Sequence, residues 1–197
     1  MNEEEAFAIF LEQLRMLVPM EEEEFNILRG YFRFERIPKK STPTRIGQQE
    51  KRIYFIADGV MRAWFERDGE DQTAAFVYRG FWGTSFESFL RGTPSPYEIE
   101  ALTDCVILSL NADKKESALE HCPSFHLFYT RLMEEVIVGM QFRERELMAS
   151  DAKERFQRFM GQSAFLLQHV PQKQLASYLN MTPETFSRLR RSWMEES

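Results

Sequence analysis

The stretch Gln172-Lys173-Gln174-Leu175-Ala176-Ser177-Tyr178-Leu179-Asn180-Met181-Thr182-Pro183-Glu184-Thr185-Phe186-Ser187-Arg188-Leu189-Arg190-Arg191 decides how the rest of the chain is read. It contains two short helical patterns with one break at Leu179–Thr182. Leu175, Leu179, Met181, Phe186 and Leu189 are spaced to form one small core between two crossed helices. Ala176 falls where the helices touch, and a larger side chain there would push them apart. Asn180 tolerates the left-handed backbone that such a turn usually assigns to Gly. Thr182 caps the second helix, Pro183 has a preset φ at its first position, and Glu184 suits its positive end. Thr185, Ser187, Arg188 and Arg191 then lie on the outward side. This is the layout of a helix-turn-helix whose second helix enters a DNA major groove. Helical proteins that bind no DNA use the same pattern, so the remainder of the chain must be read with it.

The 197 residues hold one large domain or two small ones, each with a real core. Hydrophobic residues make up 43% and charged residues 28%, which describes a soluble globular protein, and 18 phenylalanines suggest a well-filled interior. The two cysteines, Cys105 and Cys122, offer no metal-ligand pair and no disulfide framework. Met1-Asn2-Glu3-Glu4-Glu5 is acidic where a secretory signal is basic. No apolar run approaches the roughly 18–20 residues of a membrane span. These features predict a cytoplasmic protein in a reducing compartment. The net charge of −6 divides unevenly, into +2 over residues 151–197 and −8 over residues 1–150. A mildly basic end on an acidic body suits a local DNA contact.

Apolar spacing predicts helices over residues 3–17 and at about Glu21 to Gly30, with Pro19 between them. Short runs bounded by Pro, Gly and Asp follow: Tyr31–Ile37, Arg45–Gly47, Arg52–Ala57, Val60–Glu66, Gln72–Tyr78, Tyr97–Leu102 and Cys105–Ser109. Such a series predicts an antiparallel sandwich or barrel, with Asp58-Gly59 and Asp68-Gly69 as turns. One short helix, Thr84–Arg91, interrupts it. Asn111 caps a helix over Ala112–His121, and Pro123 ends it. A long helical pattern runs from Ser124 to Ser150. His126, Tyr129, Met133, Val136, Met140, Arg143 and Leu147 form one apolar-rich repeat, and Phe125, Phe128, Leu132, Gly139 and Phe142 an adjacent stripe. Two stripes need two partners, here the barrel and the same helix of a second subunit. The alternative is one broad stripe buried within a single subunit. Asp151 opens a further helix, Ala152–Met160, so Ala149–Asp151 is the expected hinge.

This order of elements resembles the Crp/Fnr family over nearly the whole chain. Ile56-Ala57-Asp58-Gly59-Val60-Met61-Arg62 is similar to the family's strand-Gly-strand step. Gly80-Phe81-Trp82-Gly83-Thr84-Ser85-Phe86 sits where the family has its phosphate-binding cassette. Gln172 to Arg188 resembles its helix-turn-helix. The resemblance implies an α+β fold with an N-terminal antiparallel β-roll, jelly-roll-like and of cyclic-nucleotide-binding type, flanked by helices. It implies three parts: a sensor domain at 1–123, a dimerisation helix and hinge at 124–150, and a helix-turn-helix domain at 151–197.

Cyclic-nucleotide binders of the family continue the cassette with Gly-Glu-Leu and later Arg-Ser. Here the matching runs are Gly83-Thr84-Ser85 and Thr93-Pro94-Ser95-Pro96-Tyr97-Glu98, which supply neither the carboxylate nor the cation. A phosphate in an apolar roll needs a compensating charge, and Arg91, close in sequence, is the candidate substitute. The resemblance therefore implies a roll that has lost cyclic nucleotides. Its pocket either holds another small effector at Phe81, Gly83, Thr84, Ser85, Arg91 and Tyr97 or is filled by side chains.

No cysteine precedes Cys105, which excludes an N-terminal iron-sulfur sensor. His121, His126 and His169 lie outside the strands, which argues against a haem sensor and a metal-dependent β-roll enzyme. No nucleophile-His arrangement is legible, so neither an enzyme nor a metal or other cofactor is expected.

The family's reading helix is often Arg-Glu-Thr-x-x-Arg, against Pro183-Glu184-Thr185-Phe186-Ser187-Arg188 here. The resemblance assigns DNA contact to Gln172, Lys173, Thr182, Glu184, Thr185, Ser187, Arg188 and Arg191. Glu accepts from a cytosine amino group and Arg pairs with guanine, while Lys173 and Arg191 hold phosphates. Trp193 is followed by four residues, too few for the β-wing of many relatives. The dimer interface is expected at Tyr129, Met133, Val136, Gly139, Met140 and Leu147. The expected partners are double-stranded DNA with a two-fold site, a second copy, RNA polymerase and an unknown effector. A ligand-binding roll without DNA binding and a β-roll enzyme remain the alternatives.

Overall fold

The computed structural model describes residues 1–149 and 151–196. Helix α1 (Glu3–Leu17) begins in a capping box: the Glu5 amide donates to Asn2 Oδ1 at 2.9 Å and the Asn2 amide to Glu5 Oε2 at 2.8 Å. Helix α2 (Glu22–Arg29) follows Pro19. The chain then forms β1 (Phe32–Ile37), β2 (Arg52–Asp58), β3 (Val60–Arg67), β4 (Glu70–Tyr78), β5 (Trp82–Gly83), the short helix α3 (Phe86–Arg91), β6 (Glu98–Ala101) and β7 (Cys105–Asn111). Helices α4 (Ala112–His121), α5 (Pro123–Ala149), α6 (Ala152–Ser163), α7 (Gln172–Tyr178) and α8 (Pro183–Glu196) complete it, with a 3₁₀ turn at Ala164–Gln168.

The strands pair antiparallel in two sheets, ordered β1-β7-β2-β5 and β4-β3-β6. Asp68 and Gly69, both at positive φ, make the tight turn between β3 and β4. Gly59 (φ 95°) takes the chain from one sheet to the other. A Cβ there would lie 2.6 Å from Asp104 O and Cys105 Sγ, so the step admits no side chain. Two details differ from expectation. Arg45–Gly47 is a turn, because Gly47 has φ 78° and only Thr44 and Gln49 on either side form bridges. Trp82–Gly83 is a two-residue strand hidden in a Gly-aromatic run.

Alternation along β2 builds two cores at once. Tyr54 and Ile56 face between the sheets with Met61, Ile99, Ala101 and Ile107. Ile53, Phe55 and Ala57 face outward to α1, α2 and the start of α5. Many of the phenylalanines meet in this second core. The Phe10 ring lies 4.9 Å from Phe32 and 5.3 Å from Phe55, and Phe125 lies 5.8 Å from Phe32.

Contact between α5 and the roll is confined to the N-terminal part of the helix and does not run the length of one stripe. Phe125 and Phe128 are buried, and Tyr129, Leu132 and Met133 pack on the same core. Beyond Val136 the helix outruns the roll, so Phe142, on the stripe read as facing it, is exposed, as is Gly139 of the expected dimer interface. Ile137, Val138, Met140 and Met148 are exposed as well, Met148 to 81%. Ser150, expected to end the helix and lie in the hinge, is outside the described residues. No described helix is long and apolar enough to cross a membrane.

Candidate nucleic-acid interface

Asp151 starts α6 with a second capping box, its side chain accepting from the Glu154 amide at 2.9 Å. Phe156 and Phe159 of α6, Leu166 and Val170 of the connection, Leu175, Ala176 and Leu179 of α7 and Phe186 of α8 form one buried cluster. Met181, Leu189 and Trp193 close its margin. Ala176 is fully buried, and its carbonyl accepts from the Met181 amide at 3.0 Å. Asn180 takes φ 50°, the left-handed turn its position requires. Thr182 Oγ1 then caps α8 by accepting from the Thr185 amide at 3.2 Å.

This packing leaves Thr182, Glu184, Ser187, Arg188 and Arg191 exposed, with Thr185 half-buried between them. The Glu184 backbone amide and the Thr182 hydroxyl hold the Glu184 carboxyl below its usual range, so it stays ionised. Gln172 and Lys173 are exposed at the start of α7. Lys173 is already occupied: its ammonium lies 2.7 Å from Glu70 Oε2 on β4, and that carboxylate raises its pKa.

The α7–α8 unit lies against the outer face of the β4-β3-β6 sheet. Val60, Phe76, Tyr78 and Leu102 of that face belong to the same cluster as Phe156 and Phe186. Phe76 packs on Tyr178 at 5.2 Å and Tyr78 on Phe165 at 4.9 Å. The β3–β4 register shifts between Ala63 and Trp64, and beside that bulge the Thr73 amide donates to Ser177 Oγ at 2.8 Å. Gln72 Nε2 donates to Ser177 O at 2.6 Å. Arg62, nearly devoid of exposure, is held by Asp71 at 2.7 Å, Glu100 at 3.0 Å and Thr73 Oγ1 at 2.8 Å.

A second set of contacts escapes sequence reading. Arg155 Nε donates to Leu179 O at 2.7 Å and Arg155 Nη2 to Asn180 O at 3.1 Å. Arg143 Nη2 donates to Tyr178 O, and its guanidinium lies 3.9 Å over the Tyr178 ring. Two arginines thus meet the carbonyls that a helix end leaves unpaired. The sequence shows the need, since the helix stops at Asn180, but not which cations answer it. Arg143, expected along the dimer stripe, turns to α7 instead. Of the seven cations after residue 150, Arg155 is buried, Arg158 pairs with Glu146 and Lys173 with Glu70, so the basic surface is smaller than the tally implies.

The expected effector residues have different surroundings. Phe81 is exposed and packs on Tyr78 at 4.7 Å. Gly83 is buried where a Cβ would lie 3.3 Å from the Tyr54 ring. Thr84 Oγ1 donates to Arg52 O at 2.8 Å, and Ser85 is buried at the start of α3. Arg91 is exposed, and Tyr97 packs on Phe65 at 5.9 Å. The space between the sheets is filled by Tyr54, Ile56, Met61 and Ile107, with Glu50 buried beside Thr44 and Tyr54. An open cleft of about 660 Å³ on the roll has other walls, among them Pro43, Gln48, Glu50, Arg52 and Asp113. Of the expected dimer residues, Tyr129 and Met133 pack on the roll, Val136 is half-buried, and Gly139, Met140 and Leu147 are exposed.

Residues 34–122 match the cyclic nucleotide-binding domain family. No curated protein sequence matches the chain significantly. Among solved structures, a CooA variant from Carboxydothermus hydrogenoformans is similar with a TM-score of 0.69 at 18% identity, over 87% of this chain and 79% of that one. FixK2 from Bradyrhizobium japonicum gives 0.67 at 18% identity, over 84% and 85%. A Crp/Fnr-family transcriptional regulator from Eubacterium rectale gives 0.65 at 12% identity, over 90% and 85%. Residues 34–122 are therefore similar to the cyclic nucleotide-binding domain family, and the chain shares the fold of these solved structures.

Proposed function

We propose that this protein is a transcription regulator that binds a two-fold symmetric duplex site as a homodimer. The observation that carries the reading is the α7–α8 unit itself. Its core and turn are complete, yet Glu184, Ser187, Arg188 and Arg191 of α8 serve no packing role and are presented outward. Residues 151–197 form the helix-turn-helix domain, 124–150 the dimerisation helix and hinge, and 1–123 the sensor or scaffold. The exposed apolar half of α5, from Ile137 to Met148, supplies the dimer seam. The effector is a small molecule other than cyclic AMP, or there is none, because Gly83-Thr84-Ser85 and Pro94-Ser95 lack the charges a cyclic phosphate needs. Work in the cytoplasm alongside RNA polymerase accords with this role.

The test is selection of bound sites from random duplex DNA, followed by sedimentation of the protein alone and with the selected duplex. A two-fold site with half-sites about 34 Å apart and two chains per duplex is the expected result. A monomer at micromolar concentration, or no enrichment of any sequence, overturns the reading.

A further inference from the structure

Between α5 and α6 the backbone passes through a single short joint. A second connection spans the same gap through side chains. Glu146, buried on α5, accepts from Arg143 Nη1 at 2.7 Å and from Arg158 Nη1 of α6 at 3.3 Å. Arg143 also reaches Tyr178 O at the end of α7, and Arg155 of α6 holds Leu179 O and Asn180 O. One buried carboxylate thus gathers guanidinium groups from two helices, and two arginines pass the restraint to the turn that opens into α8. Planar guanidinium forks fix direction as well as distance.

We propose that Glu146, Arg143, Arg158 and Arg155 form a clamp that sets the angle of α8 relative to α5. In the dimer read above, that angle fixes the separation of the two reading helices and so the half-site spacing the protein accepts. These four are positioning residues: all are buried or half-buried, whereas Glu184, Ser187, Arg188 and Arg191 of α8 are exposed. Rotation of α5 against α8 would strip charged hydrogen bonds from a carboxylate that is itself buried.

The experiment uses the full chain with Glu146→Gln and Arg143→Met as separate variants. Affinity is measured for a duplex with one selected half-site and for duplexes whose two half-sites are moved apart or together in single base-pair steps. The parent shows a sharp spacing optimum. Each variant keeps its single half-site affinity, while its preference for the best spacing falls about fivefold or more. Arg143→Lys, which keeps the charge but not the fork, falls between. An unchanged spacing profile overturns the clamp. A loss of half-site affinity together with a lower melting temperature also overturns it, in favour of plain support of the fold. Spin labels on Glu134→Cys and Ser187→Cys read the angle without DNA: a narrow distance distribution in the parent broadens when Glu146→Gln is added. If the parent binds no duplex, the proposed function fails, and this distance measurement alone decides the clamp.

Discussion

The two helices that meet at Asn180 bury their apolar residues in the same cluster, yet their other faces have opposite surroundings. Helix α7 is engaged by the roll through Ser177 and Lys173 and at its end by Arg143 and Arg155. Helix α8 turns Glu184, Ser187, Arg188 and Arg191 to solvent. Both put apolar residues on one face, over seven residues in α7 and fourteen in α8, so amphipathicity does not distinguish their outer surroundings. The difference comes from what the rest of the chain brings alongside. It teaches that α7 is the fixed member and α8 the one available for recognition.

The comparison is broken most severely at the residue both helices share. Phe186→Ala should cost about 3–5 kcal/mol in local stability and melt α7 and α8 together. Urea unfolding followed by hydrogen exchange checks this, with β2 amides expected to stay protected. Arg188→Ala sharpens the contrast from the open side: stability is unchanged, and binding to the selected duplex weakens by about 1–3 kcal/mol with relaxed preference at one base pair per half-site. If the ratio of selected to scrambled affinity is unchanged, Arg188 does not read a base.

From the held side, Ser177→Ala removes the hydroxyl that accepts from the Thr73 amide and donates to Asp71 O at 3.4 Å, and should cost about 0.5–1.5 kcal/mol. It should appear as faster exchange of the Thr73 amide with no change in α8. Glu70→Gln is the mildest change. It releases Lys173, so the dependence of log affinity on log salt should steepen by about one unit; adding Lys173→Ala to Glu70→Gln should remove that gain, while Lys173→Ala alone should change the slope little because its ammonium is already paired. A double variant that still tracks Glu70→Gln alone would show that Lys173 meets no phosphate.

Local rules made much of this legible. The two-residue alternation of β2, the Asp68-Gly69 turn, the Asn180 turn and the Thr182-Pro183-Glu184 restart all depend on near neighbours, and each appears where its chemistry places it. Contacts between distant segments were not legible. Arg143 follows the heptad spacing of an exposed seam, but its partner lies 35 residues later at Tyr178. Lys173 reads as a phosphate ligand until Glu70, 103 residues earlier, is found beside it. The long helix misled for a related reason. Its pattern records two environments, but periodicity alone does not say whether they divide a helix around its circumference or along its length.

Strand β4 is the last in its sheet, with β3 on one side and no strand on the other. An unpaired strand margin is a template for joining another chain. Here Ser177 and α7 cover the bulged part of that margin, while Phe76 and Tyr78 are shielded by the same unit. The α7–α8 unit therefore doubles as a guard against self-association. A roll cut back to residues 1–149 would bare both an apolar face and an open ladder of amides over Thr73-Ala74-Ala75-Phe76-Val77-Tyr78. That fragment is expected to aggregate, so the two halves of the chain are tied by solubility as well as by packing.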